Sequence, residues 1–169
     1  DLLCGGRNAA RYTTHRAALA EDAEEPKNGR HVTAVTRRDF LWPVVENSPK
    51  PFGTYVLENH VMDFEDMEGT LAPKLQQLTN DHGEIDTVLC AHGTTWKAAG
   101  KNEAAWTHID KEMTVEMARQ AKAAGVKHFS LVSSAGASPD SWFMYTRTKG
   151  ETIEAIKALG FERFSVFKP

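Results

Sequence analysis

Only two of the 169 residues are cysteine, Cys4 and Cys90, and both fall in or at the end of apolar strand-like segments. A cysteine in such a place serves as a small buried hydrophobe, so neither a disulfide nor a thiolate metal centre is expected. The histidines at positions 15, 60, 82 and 108 show no metal-ligand spacing, and no metal site is predicted. There is no excess of one charge either. Twenty basic against twenty-three acidic side chains leave a net charge of -3, which excludes the electrostatic footprint of a nucleic-acid or anionic-membrane binder. No apolar run approaches the about 20 residues needed to span a bilayer, and no short apolar core with basic flanks marks a signal peptide. Membrane insertion is not expected. The chain starts at Asp1 rather than Met, so it is expected to be processed or trimmed with any targeting segment already removed, and the compartment stays open between cytoplasm and an organelle such as the mitochondrion.

What is present is enough for one core. At 169 residues and 41% hydrophobic content, a single domain over residues 1–169 is expected, since two ordinary domains would not fit. Residues 2–4 form an apolar strand stub running into Gly5-Gly6, and residues 9–20 have alanine-rich helical composition. Further strands are predicted over 31–36, 55–64, 86–91, 128–132 and 161–167, and helices over 67–78 and 108–124, the latter stopped by Gly125. A last helix, capped by Asp140 or Ser141 and ended by Gly160, precedes the final strand. Strands alternating with helices imply right-handed crossovers and a parallel α/β sheet covered on both faces. Residues 40–52 hold Pro43, Pro49 and Pro51 with Phe40 and Trp42, a composition that predicts a proline-rich surface excursion. Its aromatics either cover the sheet edge or dock a partner.

The chemistry concentrates late in the chain. Tyr145 and Lys149 are four apart on a predicted helix, so both project from one face toward a common ligand. An ammonium beside a phenol favours the phenolate and makes tyrosine a usable general acid/base. Ser134, on the loop closing a strand, can hydrogen-bond the same substrate oxygen. By itself a Tyr-x-x-x-Lys pair also describes a solvated helix face, but here it stands in a strand, serine loop, helix and strand order.

Four segments, residues 90–95 (CAHGTT), 128–137 (HFSLVSSAGA), 145–151 (YTRTKGE) and 161–169 (FERFSVFKP), carry a resemblance to the atypical short-chain dehydrogenases/reductases, most closely the Tat-interacting-protein branch. The resemblance covers about residues 31–169. It implies a Rossmann-like doubly wound parallel sheet that binds NAD(P)H and moves hydride between a carbonyl and an alcohol. Tyr145 would be general acid/base. Lys149 would modulate its acidity and hydrogen-bond the nicotinamide ribose, and Ser134 would orient a small carbonyl substrate. Gly93 and Thr94 would lie along the cofactor and Asp63 near the adenine. Arg37 and Arg38 stand where an acid would favour NAD(H), and their charge suits a 2′-phosphate, so NADP(H) is favoured.

Two features depart from the family pattern. The amino-terminal loop keeps only the first of its three phosphate-loop glycines, Gly5, with Asn8 and Arg11 in the second and third places. Asparagine tolerates left-handed backbone and can keep the turn. Arginine cannot keep the close helix-strand packing. Arg11 either grips the pyrophosphate or fills its space, in which case no cofactor binds. The sequence also stops at Pro169, where related enzymes continue into the part that builds the substrate pocket, so it is truncated there, as a fragment or a retained scaffold. Two functions are therefore expected to compete: an NADPH-dependent oxidoreductase, and a non-catalytic accessory subunit with protein partners in a larger assembly. His92 stands near the cofactor as either a proton relay or a hydrogen-bonded strand-end histidine, the second being favoured.

Overall fold

The computed structural model describes residues 2–5, 30–37 and 55–169. The helix expected over 9–20, the excursion at 40–52, and Asn8, Arg11 and Arg38 lie outside the described residues.

Alternating and continuous apolar runs become strands where the sequence places them: β1 (Leu2–Gly5), β2 (Arg30–Thr36), β3 (Tyr55–Val61), β4 (Thr87–Ala91), β5 (His128–Val132) and β6 (Arg163–Phe167). All neighbouring pairs are parallel, in the order β3-β2-β1-β4-β5-β6. This is the strand order of a doubly wound, Rossmann-like α/β sheet, and its direction reverses between β1 and β4. Ligands of such sheets bind in the crevice outside the carboxyl ends of the strands at that reversal. Gly5 ends β1, Arg37 follows β2, Asp63 follows β3, Gly93 and Thr94 follow β4, and Ser134 follows β5. Every one of these expected site residues thus lies at the ligand-binding end.

The helices sit where their apolar spacing predicts, with different ends. Helix α1 (Met67–His82) buries Leu71, Leu75 and Leu78 and runs four residues beyond the expected stop at Leu78. The helix expected from His108 begins earlier. Asn102 caps α2 (Glu103–Thr107) by accepting from the Ala105 amide at 3.0 Å, and the run continues through a π-helical turn (His108–Glu112) into α3 (Met113–Ala123). Helix α4 (Met144–Lys157) starts later than expected and has no side-chain cap. The Ser141 hydroxyl instead lies 2.5 Å from Thr146 Oγ1 on the first turn and accepts from the Phe143 amide, so it braces the entry loop from outside the helix. Gly125 and Gly160 do stop α3 and α4, at φ of 85° and 68°, the left-handed geometry that glycine adopts without steric cost.

The core joins Val88 and Cys90 of β4, Phe129 and Leu131 of β5, the α1 leucines, Met113 and Met117 of α3 and Ile156 of α4. Strand β5 buries Phe129, Ser130 and Leu131 in succession, as a strand covered on both faces does. No helix among the described residues is long and apolar enough to cross a membrane.

One contact fixes α4 against the serine loop. A Cβ added at Gly150 would collide with the backbone of Ser138 and Pro139. That close approach sets the distance between the loop carrying Ser134 and the helix carrying Tyr145 and Lys149. Gly150→Ala is expected to destabilise the fold by about 1–3 kcal/mol, a fall of roughly 2–12 °C in Tm. Thermal unfolding followed by circular dichroism measures it, and an unchanged Tm would contradict the packing described.

Candidate active site

The π-helical turn widens the helix where it passes the end of β4, with the Met113 amide bonding back to the His108 carbonyl five residues earlier. Such turns occur often at functional sites. This one carries Asp110, whose side chain is only 1% exposed. Asp110 Oδ2 accepts from the Thr94 amide at 2.9 Å, and Oδ1 lies 2.5 Å from Lys149 Nζ. The second contact is a close charge pair rather than a well-directed hydrogen bond. Lys149 is itself largely buried, at 11% side-chain exposure. Beside it, Lys111 of the same turn bonds Glu151 of α4 at 2.6 Å, so two ion pairs of opposite polarity tie the π turn to α4.

Gly93 closes against this pair. A Cβ there would stand 3.1 Å from Asp110 Oδ1 and 3.4 Å from Lys149 Nζ, tighter than an ordinary contact with the carboxylate. Gly93, Thr94 and Lys149, singled out separately in the sequence, therefore meet around one carboxylate that sequence reasoning missed. Asp110 was readable in one respect. It is in helical phase with Trp106, Met113, Thr114 and Met117, all buried, so an acid stands on the apolar face.

The other expected residues are placed as follows. Tyr145 opens α4, is 43% exposed, and packs edge-to-face on Trp106 at 5.6 Å between ring centres. Ser134 Oγ is buried with no partner among the described residues, as are Ser133 Oγ and Thr94 Oγ1. Asp63 is exposed and accepts from the Glu65 amide at 3.0 Å through its side chain. Arg37 is half-buried at the end of β2, and its charge reaches His92.

His92 is the buried, hydrogen-bonded histidine favoured from sequence. Its Nδ1 lies 3.3 Å from Thr114 Oγ1 and its ring meets Phe64 at 5.3 Å. Burial first, then the Arg37 and Lys149 charges, push its pKa down to about 4, so it is neutral at physiological pH. Cys90 is a free buried thiol 3.6 Å from Met117 Sδ, pushed up to about 11 chiefly by burial. It is a packing residue. No group of three or more histidine, cysteine or acidic side chains among the described residues can hold a metal.

The site fits a nicotinamide dinucleotide on three counts. Its carboxyl-end edge is at the strand reversal, Gly93 lets the backbone there approach the Asp110 carboxylate where a side chain would crowd it, and buried hydroxyls at Thr94, Ser133 and Ser134 have bonding capacity to spare among the described residues.

No family model matches this sequence. The Rattus norvegicus protein HTATIP2 is 37% identical over 113 residues, which cover 67% of this chain and 43% of that protein. A mitochondrial fmp52 protein of Aspergillus niger is 36% identical over 126 residues, 75% of this chain and 52% of that one. Its counterpart in Emericella nidulans is 47% identical over 81 residues, 48% and 34% of the two chains. The chain thus spans about half, or less, of the length of the curated relatives it matches. Among solved structures, MoeE5 in complex with UDP-glucuronic acid and NAD aligns with a TM-score of 0.59 at 18% identity, over 82% of this chain and 46% of that one. A UDP-glucose 4-epimerase of Thermotoga maritima aligns at 0.53 and 13% identity, over 81% and 46%. These structures share the fold.

Two stability predictions follow from the burial. Asp110→Asn leaves the Lys149 charge without a counter-ion and is expected to cost about 3–5 kcal/mol, most of it recovered when Lys149→Met is added. A denaturant double-mutant cycle reads this, and additive effects would contradict it. For His92, the folded pKa lies below the unfolded value of 6.5, so the unfolded chain binds the extra proton. Stability is then lost as pH falls from 6.5 toward 4, by on the order of 3 kcal/mol. His92→Asn should flatten that part of the stability-pH curve. A profile identical to the unsubstituted protein would show that another group titrates.

Proposed function

We propose, from the premise that this chain belongs to the atypical short-chain dehydrogenases/reductases, that it is part of an NADPH-dependent oxidoreductase acting on a small carbonyl substrate. The observation that carries this is the Gly93, Asp110 and Lys149 cluster at the strand reversal, where a buried carboxylate holds the lysine in place beneath a glycine packed closely on it. A solvated helix face would leave Lys149 exposed and its carboxylate partner unnecessary.

The residues divide the work as follows. Ser134 donates a hydrogen bond to the carbonyl oxygen and orients it. Its hydroxyl, buried and without a partner among the described residues, keeps that capacity for the substrate. Tyr145 passes its phenolic proton to the same oxygen. Lys149 offsets the negative charge left on the phenol oxygen and offers a donor to the cofactor ribose. Asp110 is a positioning residue. It takes no part in the proton transfer, and anchored by the Thr94 amide it restricts the ammonium to one orientation. Reduced nicotinamide, when bound, supplies the hydride that goes to the carbonyl carbon, so carbonyl, hydride and proton balance to an alcohol and the oxidised cofactor.

Arg37 supports the preference for NADPH over NADH. It is half-buried at the end of β2, the strand end that in this fold faces the adenosine ribose, and a cation there favours a 2′-phosphate. Asp63, after β3, is placed for the adenine side. The fungal relatives named mitochondrial support the same compartment for this protein.

Tyr145→Phe is expected to lower turnover of a carbonyl substrate at least about 100-fold, the usual weight of a general acid, with NADPH affinity within about twofold. Arg37→Ala should narrow the NADPH-over-NADH preference. Steady-state kinetics and cofactor titration by fluorescence measure both. Unchanged turnover in Tyr145→Phe would remove the mechanism. Absence of cofactor binding would leave the competing reading, an accessory subunit that kept the fold.

A further inference from the structure

Aromatic side chains from two other segments stack toward Tyr145, Trp106 directly and Trp96 through Trp106. Trp96 stands on the segment after β4, two residues beyond Thr94. Trp106 is on α2, and Tyr145 is on the first turn of α4. Their rings form a series. Trp106 meets Tyr145 at 5.6 Å and 65°, and Trp96 meets Trp106 at 6.3 Å and 51°. The inner ring is fixed by burial, with Trp106 only 3% exposed, while Trp96 and Tyr145 are each 43% exposed.

Two further observations bear on what such a surface receives. Trp106 Nε1 is buried and has no acceptor among the described residues, which leaves the indole N–H to the aromatic contact or to a ligand oxygen. The cation nearest in sequence to Tyr145 is already engaged. Arg147 turns to the Ser141 and Trp142 carbonyls at 3.4 Å and lies 3.8 Å from Glu103. Rings supply flat, polarisable contact, and the engaged guanidinium is not free to hold a carboxylate or phosphate.

We propose that Trp96 and Trp106 extend the Tyr145 ring into an aromatic wall that selects a planar conjugated carbonyl compound, of the aryl ketone, aryl aldehyde or quinone class, as the substrate that meets Tyr145. This rests on the reductase reading and sharpens it to a substrate class. An edge-to-face or offset ring contact adds a preference that an aliphatic chain of equal size does not gain. The carbonyl carbon accepts hydride from reduced nicotinamide, its oxygen accepts the Tyr145 proton, and the nicotinamide leaves oxidised.

The test uses acetophenone and 2-octanone, methyl ketones of equal carbon number, titrated calorimetrically into the full chain with and without NADPH. Acetophenone is expected to bind about tenfold more tightly. Trp96→Ala should lower that preference about threefold to fivefold while leaving the fold intact by circular dichroism. Equal binding of the two ketones, no binding of either, or a preference untouched in Trp96→Ala would overturn the wall. The reductase reading fails separately. NADPH binding together with the Tyr145→Phe loss, but with no ketone preference, overturns the wall alone. A ketone preference without NADPH binding overturns the reductase alone.

Discussion

A carboxylate and an ammonium held almost out of water, Asp110 against Lys149 at 2.5 Å, are the constraint around which the carboxyl end of the sheet is arranged. Neither charge is tolerable there alone, because desolvation costs several kcal/mol per ion and only the partner offsets it. The pair therefore dictates what surrounds it. The helix after β4 opens into a π turn that carries Asp110, Thr94 presents its amide to the free carboxylate oxygen, and residue 93 has no side chain to crowd the contact. A second pair, Lys111 with Glu151, runs alongside and stops the turn from rolling on α4.

This arrangement explains why the chemistry is spread over distant parts of the chain and yet converges. The parallel sheet delivers the ends of β4 and β5 to one edge, the π turn reaches across to α4, and Gly150 lets α4 press on the Ser138-Pro139 backbone. Tyr145, one turn before Lys149, is left half-exposed against Trp106. Lys149 is locked and Tyr145 is open, the division expected if one residue holds charge and the other meets substrate.

Much of this was legible in the sequence, for physical reasons that can be named. The strands over 31–36, 86–91 and 128–132 announced themselves by β-branched and apolar runs, and Gly125 and Gly160 by the left-handed geometry that ends a helix. Ser134, Tyr145 and Lys149 were singled out as candidates through spacing and resemblance. Asp110 was not, because an acid among His108, Lys111 and Glu112 reads as a solvated helix face, and only its phase with Trp106 and Met113 contradicts that. Ser141 looked like an N-cap, but its hydroxyl bonds Thr146 and the helix starts at Met144. Gly150 reads as a weak point in a helix until the loop that presses on it is known.

If the buried pair exists to hold Lys149 for a cofactor, the two must be thermodynamically coupled. Calorimetric titration of NADPH into the protein and into folded Asp110→Asn tests this most directly. A loss of affinity of about tenfold or more in the variant, with its circular dichroism spectrum unchanged, is the predicted result. Equal affinity in the two proteins would contradict it and reduce the Asp110-Lys149 pair to a feature of the fold alone.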